Sequence, residues 1–291
     1  MKTRFIDDLK LKALDIFPKK TFSRAVGTWS SLRLPSLVSK LQNRIFSDVV
    51  SLQKTEAEMT IDQYPTLDAL FTRRLKEGAR IIDESPAAVV SPADGRLANF
   101  GAIREGTLIQ AKGIEYSLTA LLSDRLYARE FAQGGWFTVY LSPHDYHRVH
   151  FPVSGVVKSY RHIEGQHYPV GKFSSANVPN LYCINERIVT CLETASGQKM
   201  AVVMVAAMGV GNMSLSYLPL RDGLRPDWKI FNPDNFETVA RNRGDELGIF
   251  HLGSTVVVVF QKNMINLVEN LEEGMPLSMG QTLGNLIQIE R

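Results

Sequence analysis

Residues 252–260 read Leu252-Gly253-Ser254-Thr255-Val256-Val257-Val258-Val259-Phe260, a run of β-branched residues and a phenylalanine entered through a Gly-Ser step. The run predicts a strand from Thr255 to Phe260. Working outward, Trp136 to Leu141 follows Gly134-Gly135 and has the same texture. Arg187 to Glu193 and Gln198 to Val205 flank Ala195-Ser196-Gly197 and predict a hairpin. Helical candidates in this part of the chain are brief: Ser117 to Leu122, and Asn266 to Glu273 ending at Gly274. Strands without crossover helices between them argue for an antiparallel or mixed sheet. The expected fold class is α+β, with a β-rich, barrel-like or sandwich-like body over residues 61–291.

Residues 1–60 differ. Arg4 to Phe17 places Phe5, Ile6, Leu9, Ala13, Ile16 and Phe17 at helical spacing, and Pro18 ends the segment. A second helix is expected from Thr21 as N-cap, through Phe22, Val26 and Trp29, and a third from Ser36, with Leu37, Leu41, Ile45 and Val49 as a stripe. Residues 1–50 hold ten Lys/Arg against four Asp/Glu, whereas the remainder holds 23 against 26, so the net charge of +3 comes from the front end. Such stripes often pack on the rest of their own protein. Basic amphipathic helices carrying Trp and Phe also suit an anionic membrane surface, where each Lys or Arg contributes about 1 kcal/mol.

A chain of 291 residues, 44% hydrophobic and 22% charged, can bury a full core. Cys183 and Cys191 are too few for a disulfide scaffold. The longest apolar run, Ala201 to Val210, is about half of what a membrane-spanning helix needs. Asp7, Asp8 and Asp15 interrupt the front end, so no cleaved leader is expected.

Reactive groups concentrate at Ser91-Pro92-Ala93-Asp94-Gly95, at Leu141 to His150, and at His251 to Thr255. His144, His147 and His150 fall close together, but on a strand His147 faces away from the other two, so no metal site is expected. A serine attacking the carbonyl of its own preceding residue needs a strained turn, which Gly253 permits, and a base. His150 and Asp94 are the candidates.

The segments Pro92-Ala93-Asp94-Gly95, Gln110-Ala111-Lys112-Gly113, Tyr140 to His150, Asn177 to Leu181, Asn185-Glu186-Arg187 and Leu252-Gly253-Ser254-Thr255 together resemble phosphatidylserine decarboxylase of the bacterial, membrane-associated type. The resemblance covers about Tyr64 to Leu283. It implies a β-rich catalytic body with N-terminal membrane-binding helices, usually a homodimer. It further implies self-cleavage between Gly253 and Ser254 into a β chain, 1–253, and an α chain, 254–291. Ser254 would become a covalent pyruvoyl group, the only cofactor. The resemblance makes His150, oriented by Asp94, the base of that event. His147 would assist decarboxylation and proton delivery, and the product would be phosphatidylethanolamine, made on the cytoplasmic side of the cell membrane by a peripherally bound enzyme. Sharing one pocket would require an irregular loop around His147 and His150, which Pro143 and Pro152 favour. His144 is expected at the surface, His162 and His167 in a solvated loop or a flap, and Lys112 as a solvated side chain or a phosphate partner. Two other readings remain open on the residues: a Ser/His/Asp hydrolase, which lacks a Gly-x-Ser-x-Gly elbow, and a non-enzymatic membrane-binding module.

Overall fold

The computed structural model of the protein describes residues 2–209, 212–218, 228–230, 239–251 and 253–287. Leu252 of the Leu-Gly-Ser-Thr signature, and Val210-Gly211, lie outside the described residues. The front end supplies helices α1 (Lys2–Ile16), α2 (Lys19–Ser31), α3 (Ser36–Val49) and the single turn α4 (Leu67–Phe71). Strands follow as β1 (Ala88–Val90), β2 (Gly95–Ala102), β3 (Thr107–Ala111), β4 (Ile114–Ser117), β5 (Gly135–Leu141), β6 (Arg148–His150), β7 (Gly155–Ile163), β8 (Arg187–Glu193) and β9 (Lys199–Ala206). The last part supplies β10 (Asn212–Leu215), β11 (Trp228–Ile230), β12 (Ala240–Arg241), β13 (Glu246–His251), β14 (Ser254–Phe260), β15 (Ile265–Leu267), β16 (Pro276–Leu277) and β17 (Thr282–Leu286).

The main sheet runs β11-β7-β8-β9-β14-β5-β2-β16, with β12 also on β7, and its pairs are antiparallel. The valine run thus sits in mid-sheet. β14 pairs with β5 on one edge and β9 on the other, and all 7 of its residues are buried. Continuous apolar sequence is what a strand covered on both faces requires. A second sheet, β10-β13-β6, carries the chain up to His251. β14 begins in the main sheet at Ser254, which lies opposite Leu141 and Ala206.

Two expectations are corrected here. The segment Asn266 to Glu273 is no helix: Ile265–Leu267 is strand β15, paired with β17, and the chain then turns. Ladder pairing and the Val268 N–H donated to the Leu283 carbonyl at 3.1 Å outweigh a short helical pattern. The second helix begins at Lys19, not at a Thr21 cap, because Pro18 starts it and its carbonyl accepts the Phe22 N–H at 2.9 Å. No helix among the described residues is long and apolar enough to cross a membrane.

The stripes of α2 and α3 face outward. In α3 the buried residues are Ser39, Asn43 and Ser47, while Leu37 (82% exposed), Leu41, Ile45 and Val49 (79%) meet solvent. In α2, Lys19, Ser23 and Ser30 are buried while Phe22 and Trp29 are exposed. Trp29, Val38, Leu41, Ile45 and Val49 line an apolar groove of about 520 Å³. Asn43 explains the inward polar face: its Nδ2 donates to the Tyr64 carbonyl at 2.9 Å. Leu52, Tyr64, Leu67 and Leu70 form a small core of their own, with Phe46 packed against it, so this packing continues across the 60/61 boundary.

Candidate active site

Ser254 is 1% exposed, and its Oγ has no hydrogen-bond partner among the described residues. Buried hydroxyls are mostly paired, and Thr255 and Thr138 nearby are unpartnered among the described residues as well, so what sets Ser254 apart is the residue before it. The residue before it, Gly253, has φ +62°, a left-handed conformation that other residues resist. Ser254 sits opposite Leu141, and the loop after Leu141 curls so that His147 Nε2 lies 3.0 Å from the Ser142 carbonyl. The His147 carbonyl accepts the Phe250 N–H at 3.0 Å, tying the same loop to the strand that leads to the Gly-Ser step.

His147 is fully buried and stacked on Phe71, ring centroids 4.0 Å apart. Burial, reinforced by the nearby Arg73 charge, pushes its pKa down to about 3, so the imidazole is neutral around pH 7. A carbonyl only accepts, which assigns the ring proton to Nε2. Nδ1 therefore carries a bare lone pair, and it too is buried without a partner among the described residues. Arg73 holds the loop from beneath, its Nη2 donating to the His144 and Asp145 carbonyls at 3.0 and 3.2 Å.

His150 occupies a different neighbourhood. Its Nδ1 donates to the Gly244 carbonyl at 2.7 Å, and its Nε2 accepts from the Tyr146 hydroxyl at 3.2 Å. Burial lowers its pKa. It lines a polar cleft of about 580 Å³ together with Arg80, Tyr146, Gly244, Glu246 and Met279. Asp94 is brought beside it, since the His150 N–H donates to the Pro92 carbonyl at 2.7 Å. The next residue, Gly95, lets β2 lie close on β5, since a Cβ there would meet the Tyr140 carbonyl oxygen at 2.2 Å.

The direct Asp94–His150 hydrogen bond implied by the sequence reading is not formed. The Asp94 carboxylate takes both Arg80 Nε, at 2.8 Å, and Nη2, and accepts the Met279 N–H at 2.8 Å. Arg80 in turn pairs with Glu56 at 2.9 Å. A guanidinium fork outcompetes an imidazole for a carboxylate. Asp94 reaches His150 through its field, favouring the charged imidazole. His147 ends a tight loop, 142–147, and His150 ends the short β6 that follows, where the register with β13 shifts between Glu246 and Gly248.

Other residues also fall into place. His144 is at the surface, beside Asp145, and Lys112 is exposed in the β3–β4 turn. His162 and His167 are not solvated: each places Nε2 2.9 Å from one oxygen of Glu186. Burial alone would raise the Glu186 pKa, but the hydrogen bonds and charges of the two histidines bring it down to about 2. Glu186 is close to the serine as well, its carbonyl accepting the N–H of Ala206, the partner of Ser254. Sequence reading gave no part to Asp68, whose Oδ1 lies 2.9 Å from His251 Nδ1.

The family model described as phosphatidylserine decarboxylase matches residues 67–285. The protein belongs to the phosphatidylserine decarboxylase family. It is 37% identical over 278 residues to a phosphatidylserine decarboxylase proenzyme of Myxococcus xanthus, covering 96% of this chain and 98% of the relative. Proenzymes of the same name from Acinetobacter baylyi and Escherichia coli are 34% and 36% identical, over 97% and 96% of this chain and 97% and 88% of their own. The decarboxylase family model begins at Leu67, the first residue of α4, so Phe71 and Asp68 lie within it and α1–α3 precede it.

Proposed function

We propose that the protein decarboxylates phosphatidylserine to phosphatidylethanolamine and carbon dioxide, at a pyruvoyl group made from Ser254 when the precursor cuts itself after Gly253. The observation that carries this is the buried, unpartnered Ser254 hydroxyl directly after a glycine with φ +62°. In self-cleavage Oγ gives up its proton and attacks the Gly253 carbonyl. The Gly253 C–Ser254 N bond then breaks, the freed nitrogen taking up a proton, to leave an ester. Loss of the residue 254 Cα proton expels the Gly253 carboxylate from Cβ, and water hydrolyses the resulting enamine, through its imine, to release ammonia and leave a ketone. The site fits such a group: the reacting atom is shielded from solvent, and its neighbours leave its hydrogen-bonding capacity unused.

His150 is the proposed base, with Tyr146 covering its Nε2 and the Asp94 field favouring its protonated form. When present, the pyruvoyl carbonyl supplies an electron sink for the pair left by departing carbon dioxide. His147 is the proposed proton carrier. Being neutral, it offers Nδ1 as a receiving site, and any proton it delivers must first be collected there. Cleavage would not part the chains: β14 stays between β5 and β9, β16 on β2 and β17 on β1.

The outward apolar faces of α2 and α3 support peripheral docking on an anionic membrane, which would be at its cytoplasmic face, with residues 1–60 as the docking region and a homodimer as the working form. A hydrolase is less well supported, because Ser254 opens strand β14 rather than sitting in a Gly-x-Ser-x-Gly elbow between a strand and a helix. Intact-mass measurement tests the proposal. Chains of 1–253 and 254–291, the latter with a blocked amino terminus, are expected together with carbon dioxide release from phosphatidylserine vesicles, and Ser254→Ala should give one inactive chain. Wild-type protein that folds but stays whole would overturn it.

A further inference from the structure

Beside the Gly-Ser step stands a second set of hydrogen-bonded side chains that the mechanism above does not use. His251 is the last residue of β13 and lies opposite Asn212 of β10. Its Nδ1 faces both oxygens of Asp68, at 2.9 and 3.1 Å, and its Nε2 faces the Ser214 hydroxyl at 3.3 Å. A carboxylate only accepts, so Nδ1 carries a proton and donates it to Asp68. Asp68 comes from α4, 183 positions away in sequence. The Asp68 carbonyl is itself held, accepting the Thr72 N–H at 2.8 Å and the Thr72 hydroxyl at 2.8 Å, and the Thr66 side chain caps the turn through Ala69 N–H at 3.1 Å.

The position of this set gives it a role. β13 ends at His251 in one sheet and β14 begins at Ser254 in another, so only two positions of sequence separate the two strands. A connection so short has few free dihedrals, so the direction of the Gly253 carbonyl follows from how firmly its two ends are fixed. The far end is fixed by Ser254 between Leu141 and Ala206. At the near end the last residue of β13, His251, is held by its ladder pairing with Asn212 and by the clamp on its imidazole, next to the Phe250 N–H donated to the His147 carbonyl. Helix α4 thus grips the site twice, stacking Phe71 on His147 and binding His251 through Asp68.

We infer that Asp68 and His251 are positioning residues for self-cleavage: their hydrogen bond, backed by Ser214, holds the end of β13 so that the Gly253 carbonyl is presented to Ser254 Oγ. The inference rests on the self-cleavage reading. Ångström-scale misplacement of reacting atoms costs on the order of 100-fold in rate, so loss of the clamp slows maturation by about 10- to 100-fold while leaving the later reaction alone.

The test follows conversion of the full-length precursor into its two chains, by pulse–chase on denaturing gels. Asp68→Ala and His251→Ala should mature about 10- to 100-fold more slowly than wild type, and the double variant no more slowly than the slower single. Asp68→Asn keeps an acceptor for Nδ1–H, and His251→Gln a donor for Asp68, and both should recover part of the rate. Whatever fraction matures should decarboxylate normally per pyruvoyl group, a readout that a general loss of structure would depress. Melting of each substitution in the non-cleaving Ser254→Ala background reports folding independently of cleavage. Single variants that mature at the wild-type rate, or single effects that multiply in the double variant, would overturn the inference while leaving self-cleavage intact. A wild-type precursor that never cleaves would instead remove the reading on which it rests.

Discussion

Strand β14 and helix α3 are both apolar-rich, yet the fold treats them oppositely. All of β14 is buried, between two neighbouring strands and under cover on both faces. In α3 the apolar stripe, Leu37, Leu41, Ile45 and Val49, is turned to solvent, and the polar stripe, Ser39, Asn43 and Ser47, is turned inward. Apolar surface is driven out of water wherever a second apolar surface exists to meet it. For β14 the rest of the chain provides that surface. For α3 the described residues do not, and contiguous exposed apolar surface of this kind is what the proposed membrane docking would cover.

The largest effect expected from this contrast is at β14. Val257→Asp places an unpaired carboxylate in the core, costing about 5 kcal/mol or more, and should yield no folded or matured protein by circular dichroism and gel. The same insult on α3 should spare the fold. Leu41→Asp with Ile45→Asp is expected to change stability by less than about 0.5 kcal/mol. Each lost apolar side chain contributes about 1.5–3 kcal/mol to burial, so sedimentation with phosphatidylserine vesicles should weaken by about 100-fold or more. Unchanged vesicle binding would break the comparison.

Smaller effects sharpen it. Glu186 has its pKa depressed to about 2 in the fold, so its contribution of about 3 kcal/mol is present above the unfolded value near 4.3 and is lost as pH falls from there toward 2. Urea unfolding at pH 7 should show Glu186→Gln less stable by roughly that amount, with the gap closing at acid pH. Smallest is Asn43→Leu, which adds an apolar side chain where the helix faces the protein. It removes the donor to the Tyr64 carbonyl and should cost about 1–3 kcal/mol, detectable as a lower melting temperature. A stabilising Asn43→Leu would mean that the inward polar face is incidental.

Much of this was legible in the chain. The strands at 136–141, 187–193 and 255–260 announce themselves because branched side chains fit a pleated, covered surface. Gly253-Ser254 stood out because a nucleophile after a conformationally free residue is an uncommon pairing of properties. What could not be read were partnerships between distant segments. Arg80 rather than His150 binds Asp94, His251 finds Asp68, and Glu186 gathers His162 and His167. Each is a competition settled by where backbone segments are delivered, and no local pattern encodes it. The segment Asn266 to Glu273 failed for the same reason, since pairing with β17 overrode a short helical period.

By itself the sequence determined which stretches are strands, which are amphipathic helices, and where a self-cleaving serine could stand, because these follow from local propensity, periodicity and side-chain chemistry. The tertiary structure alone decided which way α2 and α3 face, which cation holds Asp94, and that α4 reaches both His147 and His251. Those outcomes depend on long-range packing, where the same side chain has several possible partners and only the assembled backbone selects one.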